Sequence, residues 1–506
     1  MINPMPEPEL AELRVDRSNG TPLHQQISER IKDAISTGSL APGARLPSSR
    51  SLASQLSVSR ATVELAYSIL AGEGYLNRQH AAGTRVELRP VGRPPEPSRR
   101  SPQPLMPGLA SEAAQLPRPF QIGLPALDAF PRKLWSRLAG RHARSLSLSR
   151  MVYQATGGFG PLRQAIANHL VIGRGIPCSE DQIFISAGFL GALALIARTL
   201  ITRGDEVWVE DPSFSPARHT LELAGGHLIP VPVDDEGINV PAGLALAPAA
   251  RLALITPAAQ FPLGVALSPR RRAHLMAWAA ETGAWVIEDD YGCEFNHLDR
   301  PVSALKRLDH ADRVLHVGSF SNVLFPGLRL GYLVVPPSLA ADFERTSALL
   351  PLQQSLLDQM VVADFITQGH FVRHLARMRS LYTERKYALV DALKDVFCDS
   401  VQMNDTGSMH VLLRLPPNSD DVVLANRARA HGMATTALSP MGLRASTGPG
   451  LLLGFTNMAP DAAKDAARRL KSLLAIPASP QYRSSQGARM ALPDADISSG
   501  AFADHI

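Results

Sequence analysis

Apolar residues recur at every fourth position near the start of the chain. Leu23, Ile27, Ile31 and Ile35 line one face of a helix predicted over 22–37. Pro42-Gly43 breaks that periodicity. A second helix is predicted from Arg50 to Leu56, capped by Ser48 or Ser49. After the short turn Ser57-Val58-Ser59, a third runs from Arg60 to about Gly72, with Ser59 placed to cap it. Val63, Ala66, Tyr67 and Leu70 form its buried face. Gly74-Tyr75-Leu76 opens a strand, and His80-Ala81-Ala82-Gly83-Thr84-Arg85-Val86 reads as a hairpin with a glycine tip.

The pattern then changes twice. Residues 88–114 form a linker, rich in proline and arginine up to about residue 108, where proline favours extended, semi-rigid backbone. From 115 to 475, helical stretches such as Arg270 to Glu281 alternate with short apolar runs. Trp208-Val209-Glu210, Leu252-Ala253-Leu254-Ile255, Trp285-Val286-Ile287-Glu288 and Val314-Leu315-His316-Val317 are strand candidates. That alternation predicts an α/β fold with a mostly parallel sheet covered on both faces. Ligand sites in such sheets lie at the carboxyl ends of strands, and Asp289, Asp290 and Ser319 are expected just after such ends. Residues 476–506 are polar and aperiodic, and are expected to be disordered.

Composition narrows the classes without choosing among them. The chain has 506 residues, 45% apolar and 19% charged, a length for two to four domains. A net charge of +5 permits a nucleic-acid partner without demanding one. Three separated cysteines, Cys178, Cys293 and Cys398, suggest neither a disulfide framework nor a metal site, and point to a reducing, cytoplasmic setting. The first residues lack the pattern of a signal peptide, and no uncharged apolar stretch is long enough to span a membrane.

The first unit, residues 10–87, has the layout of a winged helix-turn-helix. Its third helix presents Arg60, Ala61 and Thr62 at the end that reads a major groove, while Arg45 and Arg50 flank the second helix. The competing reading is a small helical packing domain with surface arginines. Pro22-Leu23-His24-Gln25-Gln26, Gly43-Ala44-Arg45-Leu46-Pro47-Ser48-Ser49-Arg50, Val58-Ser59-Arg60-Ala61-Thr62-Val63 and Gly74-Tyr75-Leu76 resemble the DNA-binding domain of GntR-type regulators. The resemblance implies that Arg45, Ser49, Arg50, Ser59, Arg60, Thr62 and Gly83 lie at the DNA.

In the long section, Glu210-Asp211-Pro212-Ser213-Phe214, Thr256-Pro257-Ala258-Ala259-Gln260-Phe261-Pro262-Leu263-Gly264, Glu288-Asp289-Asp290-Tyr291 and Pro326-Gly327-Leu328-Arg329-Leu330-Gly331-Tyr332 resemble fold-type I aminotransferases. The resemblance implies a mostly parallel sheet, a smaller C-terminal α+β subdomain and a pyridoxal-phosphate site. Asp289 is the candidate for the pyridine nitrogen and Tyr291 for the phenolic oxygen. Ser319, Arg329 and the amides of Ser186-Ala187-Gly188 are candidates for the phosphate, and Phe214 stands where a tyrosine is common. Taken singly, these residues are equally a strand-end turn and surface polar groups.

The pattern breaks at Asn322. In Ser319-Phe320-Ser321-Asn322, asparagine stands where the resemblance places the Schiff-base lysine, and its amide nitrogen is no nucleophile. Apolar Phe189 and Leu190, Ala259, and the arginine-free run Gly450-Leu451-Leu452-Leu453-Gly454 depart as well. No other lysine has the right context, and Lys306 reads as an exposed turn.

A reader joined to this body resembles the MocR-type regulators. That implies a transcription regulator, a head-to-tail homodimer and a small-molecule effector related to the cofactor or an amino acid. Pyridoxal phosphate would be bound non-covalently at best, and catalysis would be lost. An aminotransferase fused to a reader, and a regulator holding the cofactor or an amino-acid adduct without covalent attachment, stay open as alternatives.

Overall fold

A computed structural model describes residues 15–18, 20–79, 83–87, 116–295, 303–350, 354–398, 401–405 and 408–474. The hairpin tip at His80-Ala81-Ala82, the linker at 88–114 and the tail at 476–506 lie outside them. The chain divides into two units, Met1–Ala113 and Ala114–Ile506.

In the first unit, α1 (Leu23–Ser36), α2 (Ser49–Leu56) and α3 (Arg60–Gly72) precede β1 (Leu76–Gln79) and β2 (Gly83–Val86). Ile27, Ile31, Leu52, Val63, Tyr67, Leu70, Leu76 and Val86 close one core. Two caps set the helix starts. Ser48 Oγ accepts from Ser51 N at 3.1 Å, so α2 begins at Ser49, one residue before the expected start. Ser59 Oγ accepts from Thr62 N at 3.1 Å and starts α3 where expected. Tyr67 Oη donates to Pro47 O at 2.9 Å, fixing α3 against the loop before α2. β1 and β2 pair antiparallel, Leu76 opposite Val86, and Arg45 bridges to Arg85.

The second unit opens with α4 (Arg132–Arg144) and α5 (Gly160–His169). An eight-stranded sheet follows: β3 (Ile183–Ser186), β4 (Glu206–Asp211), β5 (His227–Asp234), β6 (Gly237–Ile238), β7 (Leu252–Ile255), β8 (Trp285–Asp289), β9 (Val314–Ser319) and β10 (Gly331–Val334). The spatial order is β3-β10-β9-β8-β7-β4-β5-β6. Strands β5, β4, β7, β8 and β9 run parallel, whereas β10 is antiparallel to both β9 and β3.

Both faces of the sheet are covered, and the period of two along β4 shows how. Val207 and Val209 pack against α6 (Gly188–Leu200), α7 (Ser215–Leu223) and α10 (Ala340–Leu349) through Leu193, Leu221 and Phe343. Trp208 points the other way, into the core beside α8 (Val240–Leu246) and α9 (Pro269–Thr282), and stacks on Trp278 with ring centroids 4.0 Å apart. Burial on both faces is why these strands read as continuous apolar runs.

The remaining chain forms α11 (Leu356–Thr367), the long α12 (His370–Phe397) and a smaller antiparallel sheet. That sheet has order β11-β12-β14-β13, from β11 (Gln402–Asp405), β12 (His410–Arg414), β13 (Thr436–Ala437) and β14 (Gly450–Gly454). It packs with α13 (Asp421–Ala430) and α14 (Ala463–Leu474). No helix among the described residues is long and apolar enough to cross a membrane.

Candidate functional site

Three successive carboxylates end β8 and its following turn, and the pleat separates them. Glu288 accepts from the amides of Leu305 at 2.6 Å and Lys306 at 3.0 Å, and faces His316 Nδ1 at 3.0 Å. Asp290 receives both guanidinium nitrogens of Arg174, at 2.7 and 2.8 Å, and His316 Nε2 lies 3.6 Å away. Arg174 holds Asp290 below the usual carboxylate range against the opposing effect of burial. Asp289 lies between these two in sequence and points to the other face of the strand.

Asp289 has no cationic partner among the described residues. Burial pushes its carboxyl well up, and the neighbouring charges of Asp290, Glu210 and Glu288 push the same way. Glu210 is itself buried and pushed up to about 7; it accepts from Thr256 N at 3.2 Å and Gln260 Nε2 at 3.4 Å. An unpaired acid among acids is satisfied by a cation, and a protonated pyridine nitrogen has that chemistry. The residues present therefore fit the ring end of a pyridoxal-type cofactor. The sheet places Asp289 as the last residue of β8 and Ser319 as the last of β9, one position earlier than expected.

The other end of the site forms where β10 is inserted. Gly331 pairs with Ser186 on one side and with Ser319 on the other, so three strand ends meet in one row. A Cβ on Gly331 would lie 2.9 Å from the Gly188 Cα, which only glycine allows at that approach. Gly188, with φ +71°, starts α6, whose free amides and dipole favour an anion. Ser319 Oγ already accepts from Ser321 N at 3.2 Å. Arg329 ends the turn at 326–328 in the left-handed region, φ +50°, with its side chain exposed two residues before Gly331. Gly188, Ser319 and Arg329 are thus brought to one region, suited to a phosphate.

Aromatic rings connect the two ends. Phe189 lies 6.4 Å from Phe214, Phe214 lies 5.9 Å from Phe261, and Phe261 lies 5.6 Å from Tyr291. Leu412, Leu438 and Leu452 of the smaller sheet side close the cluster behind them. Burial pushes the Tyr291 hydroxyl up to about 12, so it stays a hydrogen-bond donor at neutral pH.

Asn322 is half-buried in the loop after β9, and its amide makes no hydrogen bond among the described residues. The expectation of an exposed Lys306 is wrong. Its side chain is 4% exposed and its Nζ binds Asp309 at 2.9 Å, because the turn before β9 folds beneath the strand. Asp309 also accepts from Val314 N, at the opposite end of β9 from Ser319. Six strand residues separate the ends by about 17 Å, so this ammonium does not reach the loop at Asn322.

In the first unit, Arg45, Arg50 and Arg60 are exposed. Arg45 lies against Gly83, where a Cβ would come 3.1 Å from its Nε. Ser49 Oγ donates to Glu64, which also meets Arg60 at 3.5 Å and binds Arg78 of β1. Ser59 and Thr62 are joined as a cap, with oxygens 2.8 Å apart. Ser49, Ser59 and Thr62 therefore order the helix ends that carry the arginines.

Sequence reasoning missed Arg174, His316 and Glu294. Arg174 lies 116 residues from Asp290, and no local pattern marks such a pair. Glu294 meets His169 at 3.2 Å and Arg379 at 3.4 Å, extending the network to α5 and α12.

Fold and site together define a class: a body built like a pyridoxal-phosphate aminotransferase, in a chain that also carries a winged-helix reader. The chain belongs to the aminotransferase class I and II family, matched over residues 133–470, and residues 23–86 match the bacterial regulatory proteins of the gntR family. It is 35% identical over 477 residues to the probable rhizopine catabolism regulatory protein MocR of Rhizobium meliloti, covering 91% of this chain and 95% of that one. It is 32% identical over 442 residues to the pyridoxine biosynthesis transcriptional regulator PdxR of Corynebacterium glutamicum, covering 86% of this chain and 92% of that one. Among solved structures, the kynurenine aminotransferase of Pyrococcus horikoshii superposes with a TM-score of 0.64 at 27% identity, over 70% of this chain and 90% of that one.

Proposed function

We propose that this protein is a DNA-binding transcription regulator whose aminotransferase-like unit senses a small effector and joins two copies, without transaminase catalysis. The observation that carries the reading is Asn322 in a site otherwise furnished for the cofactor, in a chain that also carries an exposed arginine-bearing reader. Transamination needs an amine to move a proton at the reacting carbon, and an amide cannot do so at neutral pH. Relatives with the same two parts are named as regulators.

Within the reader, α3 is the element to enter a major groove, with Arg60 and Thr62 at its start, while Arg45, Arg50 and Gly83 bring backbone contacts from either side. In the large unit, Asp289 and Tyr291 would hold the ring, and Gly188, Ser319 and Arg329 the phosphate. When bound, the cofactor supplies an electron-poor ring and a dianionic anchor; the chain supplies orientation and exclusion of water. Phe214 closes the pocket beside Phe261.

A homodimer is supported by the stretch Leu148, Met151, Val152 and Tyr153, apolar side chains left exposed, with Tyr153 at 104%. A cytoplasmic location accords with a DNA partner and with three free cysteines.

The test is binding of the full chain to a duplex carrying its own upstream region, against random duplex of equal length, over a salt series. The expected result is a clear preference for the upstream region, with affinity falling steeply as salt rises. Arg60→Ala should weaken it and reduce the salt slope by about one contact's worth. Equal affinity for both duplexes would refute the reading, as would steady transamination of any amino acid.

A further inference from the structure

The seven lysines of the chain leave no ammonium at the loop after β9. Lys32 pairs with Glu73, Lys306 with Asp309 and Lys464 with Asp395, while Lys471 donates to Val396 O. Lys386 and Lys394 belong to α12, and Lys133 lies exposed on α4. Arg174 is committed to Asp290, and neither Asp289 nor Glu210 has a cation beside it among the described residues. The strand ends at Asp289 and Ser319 belong to adjacent parallel strands, with Asp289 opposite Val317 in register. The loop at Asn322 therefore follows the strand adjacent to the one that ends in Asp289. Its side chain offers a neutral amide whose carbonyl oxygen accepts hydrogen bonds.

We propose that Asn322 makes this site a reader of the amine form of the cofactor, pyridoxamine 5′-phosphate, in preference to the aldehyde form, pyridoxal 5′-phosphate. The proposal rests on the reading of the site given above. The two compounds share ring, phenolic oxygen and phosphate, so the contacts from Asp289, Tyr291, Gly188, Ser319 and Arg329 are common to both. They differ at one substituent. In a site with lysine, the aldehyde gains a covalent bond. Asparagine supplies none, so the aldehyde enters with nothing to react with. The amine form carries an ammonium, which donates a charge-assisted hydrogen bond to the carbonyl of half-buried Asn322, an amide without a hydrogen bond among the described residues.

The experiment is titration calorimetry on the full chain with pyridoxamine 5′-phosphate, pyridoxal 5′-phosphate and 4-deoxypyridoxine 5′-phosphate, which has neither amine nor aldehyde. The amine form should bind at least ~10-fold more tightly than either of the others, the ratio expected when a charge-assisted hydrogen bond replaces a neutral contact. Asn322→Leu should abolish that ratio while leaving binding of the deoxy compound in place. Asn322→Lys should reverse it. There the lysine amine condenses with the aldehyde, losing one water, and borohydride reduction followed by mass spectrometry reads the stable adduct. Pyridoxal 5′-phosphate binding as tightly as the amine form, or Asn322→Leu keeping the preference, overturns this proposal and leaves the cofactor reading standing. Failure of all three compounds to bind overturns both.

Discussion

Replacing Glu210 by glutamine should remove a pH dependence from the stability of the large unit. Glu210 is 4% exposed near the end of β4, and both groups that hydrogen-bond to it, Thr256 N and Gln260 Nε2, are uncharged. Burial pushes its carboxyl up to about 7, against about 4.3 in an unfolded chain. The folded state thus binds the proton more tightly than the unfolded state. Below about pH 4 both states are protonated and the group has no effect on stability. As pH rises from there to 7, the unfolded chain releases its proton first and stability falls. Above 7 the full penalty is present, ~3 to 4 kcal/mol at ~1.4 kcal/mol for each tenfold change in proton affinity. Glutamine keeps the shape and carries no charge, although its amide meets Gln260 Nε2 less well, at a cost of about 1 kcal/mol. Glu210→Gln should therefore be about as stable as the natural protein at about pH 5 and ~2 to 3 kcal/mol more stable at about pH 8.5. Urea unfolding followed by tryptophan fluorescence measures this, since Trp208 lies on the same strand and stacks on Trp278. Parallel stability curves for the two proteins across that range would refute the reasoning.

Two further substitutions test the packing and the caps. Gly318→Ala places a Cβ 2.1 Å from Cζ of Tyr332, its partner on β10, so the buried ring or the strand must shift; a loss of about 3 kcal/mol in chemical unfolding is expected, and an unchanged midpoint would contradict it. Ser59→Ala leaves Thr62 N without its cap and should cost the reader about 1 kcal/mol; a first unit that unfolds at the same urea concentration as the natural one would show that the cap does not hold α3.

Much of the architecture was legible because it is local. The four-residue spacing of Leu23, Ile27, Ile31 and Ile35 marked α1, and the serine caps marked α2 and α3 to within a residue. Strand β7 coincides with the apolar run Leu252 to Ile255, since a strand buried on both faces has no polar alternation to obscure it. The order of residues around Asn322 needed no coordinates.

What was not legible is non-local. The antiparallel insertion of β10 between β3 and β9 depends on pairing between segments far apart in the chain, yet it sets Ser186, Gly331 and Ser319 side by side. Lys306 looked exposed because it reads as part of a turn, and it is buried with its ammonium bound to Asp309, which also holds the first amide of β9. The identity of the acids in Glu288-Asp289-Asp290 was plain, but their different protonation was not. Arg174 and His316 reach Glu288 and Asp290 from other elements and leave Asp289 without a cation among the described residues. Sequence by itself determined which chemical groups this protein has, the amide of Asn322 among them, because those are covalent facts. Only the tertiary structure decided which carboxylate stays unpaired, because burial and charge pairing depend on what the fold brings within a few ångströms.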